Sequence, residues 1–395
     1  MPTAGRAATM GTMPRRRPPG LLVASCAAIS LVSLTLGTVA PLLPHFKASM
    51  HSSLYAALVV AGHPVGSLLA AVPTLLASRR FGLPRVIVAG GLLASASSIL
   101  FIWPGAGWWI VLARVGFGAS GTLVWQSVFA WTITNTGLER RARTIGILLG
   151  ASMAGTLVGP QLGALAAHFG IWLCAAPPLL LLLAAARFGA LPRYEMLERP
   201  DVAKLRAALG SRDALAGLSL TSTGAIIGLG TTVTLPLALS ARGVGAFGIG
   251  GVLTAAYALL VVLNPLSGRA ADRGRTRTLV AGAFGLLALV YLVLAMSTSV
   301  LVAAPFAFAA ICLVSAPMLA GNVLLSRAVS RANVDQTVSQ TLATLAWAPA
   351  AIVGSVSAGA VSSPDSALVV LAVAAACAAG IATLERVQRH RPQMA

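Results

Sequence analysis

The chain has 395 residues, of which 57% are hydrophobic and 9% charged, and its formal net charge is +19 at pH 7. Soluble domains carry roughly a quarter charged residues, and a soluble protein this apolar would lack the polar surface to stay dispersed, so the composition excludes a soluble globular domain. The basic excess does not make a nucleic-acid binder, because the charges lie in short loops rather than in one stripe; anionic lipid headgroups suit it better.

A membrane-spanning helix needs about 20 apolar residues. An amino tail over 1–20 carries Arg15, Arg16 and Arg17. The apolar stretch that follows, 21–44, is longer than the ~7–15-residue core of a secretory signal, and predicts an uncleaved first span. Further spans are predicted over 53–77, 85–103, 108–134, 143–167 and 171–189. A linker over 190–213 follows, within a charged, proline-containing segment from Arg187 to Asp213. A short amphipathic helix is expected there, at Val202–Leu209. Six more spans are predicted over 214–239, 246–267, 278–296, 300–325, 338–361 and 367–384, before a carboxyl tail over 386–395. Lipid-exposed strand edges are excluded from a bilayer, so the spans are helices. The fold class is all-α integral membrane, with twelve transmembrane helices in two pseudo-symmetric six-helix bundles, 21–189 and 214–385. Trp103, Trp108 and Trp109 flank the gap after span three, where an interfacial aromatic belt belongs. Cys26, Cys174, Cys312 and Cys377 lie far apart inside apolar stretches, without metal-ligand spacing.

The arginines orient the chain. Of 28 Lys and Arg, 25 fall in the two tails and in the gaps after even-numbered spans. Lys47 and Arg242 fall in the other gaps, and Arg114 lies inside span four. Positive charge collects on the cytoplasmic side, so both termini are expected in the cytoplasm, with the protein in the cell membrane. Arg far outnumbers Lys, and Ala and Gly are abundant, which points to a GC-rich bacterial genome.

Three segments carry chemistry. The loop after span eight reads G-R-A-A-D-R-G-R-T-R, Gly268 to Arg277, in which Asp272 can pair with a neighbouring helix start or with Arg273 or Arg275. Its counterpart after span two, Pro73–Arg85, has Thr74 and Ser78 at the equivalent positions and so lacks the carboxylate. Span four reads L-A-R-V-G-F-G-A-S-G, Leu112 to Gly121, with Arg114 roughly 10 Å deep by helical rise. An arginine at a span's centre costs ~2.5–3.5 kcal/mol, less nearer an edge, so it needs either a function or a route by which its side chain snorkels to the interface. Span five reads G-I-L-L-G-A-S-M-A-G-T-L-V-G-P-Q-L-G-A. Its Gly155, Gly159 and Gly163 share one helix face that another helix can approach closely, and Pro160 removes an N–H.

Together these segments resemble the major facilitator superfamily over about residues 20–385, and within it the twelve-span drug:proton antiporter branch. Gly146, Gly155, Gly159, Pro160 and Gly163 match the antiporter spacing G-x8-G-x3-G-P-x2-G-G, with Ala164 for the last glycine. Arg114 and Gly118 match the span-four pattern, in which Phe117 replaces Gln. The resemblance implies a loop latch at Asp272, a role for Arg114 in proton relay or substrate recognition, and a bent span five at the interface between halves. It also implies a cavity lined by spans one, four, seven and ten, with Ser33, Thr35, Trp125, Gln126, Thr223, Thr232 and Asn322 as candidate lining residues.

No Asp or Glu lies inside any predicted span. If protons drive the transport, another group must titrate. His63, near the middle of span two and followed by Pro64, is the best candidate, because histidine titrates near physiological pH, and Asp272 near the inner membrane face is the second. A neutral histidine hydrogen-bonded within the bundle fits equally well. The expected function is secondary active transport by alternating access, as proton-linked export of a small, fairly apolar organic compound by a monomer in the lipid bilayer. The alternative is an uptake permease or facilitator for a small neutral or anionic metabolite. A membrane receptor or enzyme is disfavoured, since neither a nucleotide-binding loop nor H-E-x-x-H occurs. No enzyme activity and no cofactor are expected, only a proton gradient as driving force.

Overall fold

The computed structural model describes residues 20–103, 107–134, 141–189, 202–270, 276–332, 334 and 336–389. Span one is a pair of helices, α1 (Leu21–Gly37) and α2 (Leu43–Met50), joined through a 3-10 turn at Ala40–Leu42. Spans two to six are α3 (Ser53–Phe81), α4 (Leu83–Phe101), α5 (Trp108–Thr134), α6 (Arg141–Phe169) and α7 (Ala176–Gly189), the last entered through a 3-10 turn at Ile171–Ala175. The linker contains α8 (Val202–Leu209). Spans seven to twelve are α9 (Arg212–Ala241), α10 (Ala246–Ala270), α11 (Thr276–Met296), α12 (Val300–Arg331), α13 (Gln336–Ala360) and α14 (Pro364–Arg389).

The helices outrun the apolar stretches that define them. α3 continues past residue 77 through Arg79 and Arg80, and α12 past 325 to Arg331. Hydropathy marks only the hydrocarbon crossing, whereas backbone hydrogen bonding continues into the headgroup layer until a breaker intervenes. At the end of α3 that breaker is Gly82, at φ 84°, with Pro84 in the first turn of α4. Span one differs most from expectation. The stretch 21–44 is not one helix, because α1 stops at Gly37 and Pro41 sits in the turn that follows.

Eleven segments among the described residues are long and apolar enough to cross a membrane. The twelfth crossing, α5, is diluted by Arg114, three glycines and several Ser and Thr residues. It packs against α3 and α4, so its polar positions face helices rather than lipid.

The helix pairs repeat with a shift of six spans. α1 packs on α6 as α9 packs on α13, α3 on α5 as α10 on α12, and α4 on α7 as α11 on α14. The halves meet along two equivalent seams, α3 against α13 and α6 against α10. An even number of spans puts the start of α1 and the end of α14 at one end. At the far end the halves share a core in which Val39, Leu42, Phe46 and Tyr55 pack with Val233 and Leu237. Gly359 of α13 packs against Ala57 and Ser53 of α3 there, and His168 of α6 lies against Phe247 of α10, ring centroids 6.0 Å apart. Each of these contacts lies between mid-span and the far end. Trp103, Trp108 and Trp109 are exposed at that end, in belt position.

Ion pairs of Arg242 and Arg331 brace the second half. Arg242 donates to the carbonyl oxygens of Ala238 (2.9 Å), Leu294 (2.7 Å) and Ser297 (2.8 Å), and to Asp365 Oδ1 (2.7 Å). It thereby ties the far ends of α9, α11 and α14. Arg331 pairs with Asp213 at the opposite ends of α12 and α9.

Candidate functional site

Arg114 is the largest fully buried side chain among the described residues, 1% exposed. It does not snorkel. Its Nε donates to the Val59 carbonyl at 3.3 Å, and Nη1 makes a long contact, 3.5 Å, with the Thr35 carbonyl. Thr35 belongs to the last turn of α1, where carbonyls lose their helical partners and carry partial negative charge. The break in span one therefore supplies the acceptor end that Arg114 needs, and Thr38 Oγ1 donates to the same carbonyl at 2.9 Å. Among the described residues no carboxylate pairs with Arg114.

One helical turn further in lies His63, 9% exposed. Its position follows from glycine. A side chain on Gly118 would run into the His63 carbonyl, and a Cβ on Gly62 would come within 2.8 Å of the Arg114 Cβ. α3 and α5 therefore touch backbone to backbone. The imidazole borders a cavity of about 10 Å³, the scale of a single water molecule. Thr35, Phe117, Ser120 and Gly121 also line it. His63 Nδ1 is buried and has no hydrogen-bond partner among the described residues. Its ring stands edge-to-face against Trp347 of α13, centroids 6.4 Å apart at 80°, across the seam between halves.

Span five presents two faces. Gly155, Gly159 and Gly163 all point at span one: Cβ atoms there would strike Ser30, Leu34 with Gly37, and Thr38. Ser30 Oγ donates to the Ala151 carbonyl at 2.7 Å, and Ser33 bonds Ser152 at 2.8 Å, along the same contact. This glycine face closes onto α1 of its own half, although the span as a whole lies at the seam between halves. The adjacent face meets the second half, where Gly250 of α10 approaches the Pro160 carbonyl and Thr254 Oγ1 donates to the Leu157 carbonyl at 3.1 Å. Gly146 lies in the opening turns of α6.

The remaining predicted residues are dispersed. Asp272, Arg273 and Arg275 lie outside the described residues. Thr35 borders the small cavity, whereas the Ser33 hydroxyl is taken up by Ser152. Trp125 stacks on Phe129, centroids 6.3 Å apart, and Gln126 Nε2 is buried without a partner among the described residues. Thr232 Oγ1 bonds back to the Gly228 carbonyl at 2.9 Å, Thr223 is half-buried, and Asn322 is exposed. Thr74 bonds back to Ala70, and Ser78 meets Ser127 of α5 at 3.4 Å. Sequence reasoning missed Trp347 and Ser120. The signal for Trp347 was present, since a tryptophan near mid-span lies away from the interfacial belt where tryptophans collect.

Known proteins fit this architecture. A bacterial homolog of the human lysosomal transporter Spinster, solved inward-facing and unoccupied, superposes with a TM-score of 0.70 at 13% identity, covering 95% of this chain and 98% of that one. Multidrug resistance protein 2 of Bacillus subtilis (strain 168) is 29% identical over 155 residues, which span 36% of each protein. The Major Facilitator Superfamily profile matches residues 25–351. With two repeated helical halves and that profile over most of its length, the chain belongs to the Major Facilitator Superfamily.

Proposed function

We propose that this secondary transporter exports a small, fairly apolar, neutral or anionic organic compound in exchange for protons. The far end faces outside, and both termini lie in the cytoplasm of a bacterial cell. The observation that carries the reading is the double contact of span five. Its Gly155–Gly159–Gly163 face is locked onto span one, while its Pro160 and Leu157 carbonyls meet span eight. Movement of one half against the other must pass along this helix, and its glycine–proline spacing resembles that of antiporters. The partial similarity to a multidrug resistance protein supports the same direction. Arg114, the one charge inside a span, gives no reason to select multivalent cations.

In the arrangement described, the halves share a core at the far end, which closes that end of any path between them. Alternating access then requires that the α3–α13 and α6–α10 seams part at the far end and close at the other. The halves 21–189 and 214–385 act as the rocking bodies of a monomer, with 190–213 as the connector.

The test is flux in proteoliposomes under an imposed pH gradient, for a panel of neutral and anionic lipophilic compounds. Acid-inside vesicles should accumulate the substrate, reversal of the gradient should expel it, and a protonophore should abolish both. Accumulation indifferent to the gradient would instead support the facilitator alternative, which the lack of any Asp or Glu in the predicted spans favours.

A further inference from the structure

We infer that His63 and Trp347 form a proton-sensitive contact across the seam between halves, closed when the imidazole is neutral and released when it is protonated. The inference rests on the proton-linked reading above and names the group through which the proton acts.

Three observations place it. His63 belongs to α3 and Trp347 to α13, so their ring contact bridges the halves at mid-span, next to the region where the far end is closed. His63 Nδ1 is more than nine-tenths buried within its residue, unpartnered among the described residues, at the edge of a cavity large enough for about one water. A free lone pair there can take a proton. Finally, among the described residues the charge near it is positive, because the backbone of α3 at Gly62 packs directly on the Arg114 Cβ.

Among the described residues no carboxylate offsets a second charge, and a further ionisable group near Arg114 is the Cys174 thiol of the 3-10 turn before α7, in the same core as Val59, Val60 and Phe117. On α5 the facing group is Arg114, and α13 has no ionisable residue at all. α4 contributes only Arg85 at its start, α2 only His45 and Lys47 near the far end, and α9 only Arg212, Asp213 at the opposite end. α1, which lines the cavity, contributes only Cys26, and α7 only Arg187. On α3 itself Tyr55, Arg79 and Arg80 lie toward the helix ends.

Two effects oppose each other when the ring is protonated. An imidazolium against the Trp347 ring gains a weak cation–π contact. Holding an unpaired buried cation costs more than such a contact returns, and the nearby arginine adds to that cost. The second effect wins. Water must reach the ring to relieve it, and parting of the α3–α13 seam beside Trp347 admits it.

The experiment measures the distance between spin labels at Met50→Cys and Ser362→Cys, exposed far-end positions on opposite halves. The full-length protein is used in lipid nanodiscs, with the four native cysteines replaced, at pH 8 and pH 5. Wild type should give one short distance at pH 8 and a second, longer population at pH 5. His63→Gln should keep the short distance at pH 8, which shows that it folds, and gain no longer population at pH 5. Trp347→Ala should show the longer population already at pH 8. A wild type without an acid shift, a His63→Gln protein that shifts like wild type, or a Trp347→Ala protein as closed as wild type would overturn the inference. Gradient-driven flux is read separately. Flux that follows the gradient while the distances ignore His63 refutes this contact alone, whereas flux indifferent to the gradient refutes the proton-linked reading.

Discussion

Arg114 shows how a cation can be buried without an anion. A lone charge in a low-dielectric interior must be hydrogen-bonded to persist, and here the acceptors are backbone carbonyls. The Thr35 carbonyl is available because α1 ends two residues later, and Val59 lies within α3. An arginine spreads its charge over five donors in a planar fork, which lets it reach two helices at once. Arg114→Ala should therefore insert and fold, because both carbonyls belong to helices that persist without it, yet transport should fall at least tenfold. Membrane yield and thermal unfolding in detergent check the first part, and proteoliposome flux the second. Arg114→Lys should recover little, since an ammonium cannot span both carbonyls; full flux in the lysine variant would show that charge alone suffices.

Helices in this protein are held together by backbone proximity more than by side-chain volume. In lipid the apolar effect does not favour helix–helix over helix–tail contact, so close packing and interhelical hydrogen bonds carry association. α1 and α6 show it: Gly155, Gly159 and Gly163 leave no room for a Cβ, and Ser30 and Ser33 bond across the contact. Gly159→Ala would bring a Cβ to 2.7 Å from the Gly37 Cα and should cost about 1–3 kcal/mol, the usual range for overpacking. Gly150→Ala, on the same helix with nothing within 4 Å, should be neutral or slightly stabilising. Thermal unfolding of the pair checks the contrast.

At the far end of the second half, Arg242 bonds carbonyls of α9 and of the segment closing α11, and the Asp365 carboxylate of α14. Arg242→Ala removes four bonds and should lower stability by about 1–3 kcal/mol. Asp365→Asn, half-exposed, should cost under about 1 kcal/mol. Denaturation in detergent ranks the two.

Across the whole molecule, the far-end closure is a property of the two halves together. His168 and Phe247 come from α6 and α10 and meet only because both seams are shut at that end. Cysteines at these two positions, in a background without the native four, should cross-link with a short thiol reagent. Cross-linked protein should lose transport, and a reductant should restore it. Undiminished flux in the cross-linked state would exclude rocking about these seams.

The all-helical spans and their order were legible in the chain, because bilayer thickness acts on each segment locally. So was Arg114, as a charge where none is cheap. The direction in which Gly155, Gly159 and Gly163 face was not, since helical spacing defines a common face but not its neighbour. The break in span one was signalled only by Pro41. That Arg114 uses this break, and that His63 meets Trp347, came from tertiary structure alone. Both depend on which helices pack side by side, and packing between distant segments is a property of three-dimensional complementarity that no local stretch encodes.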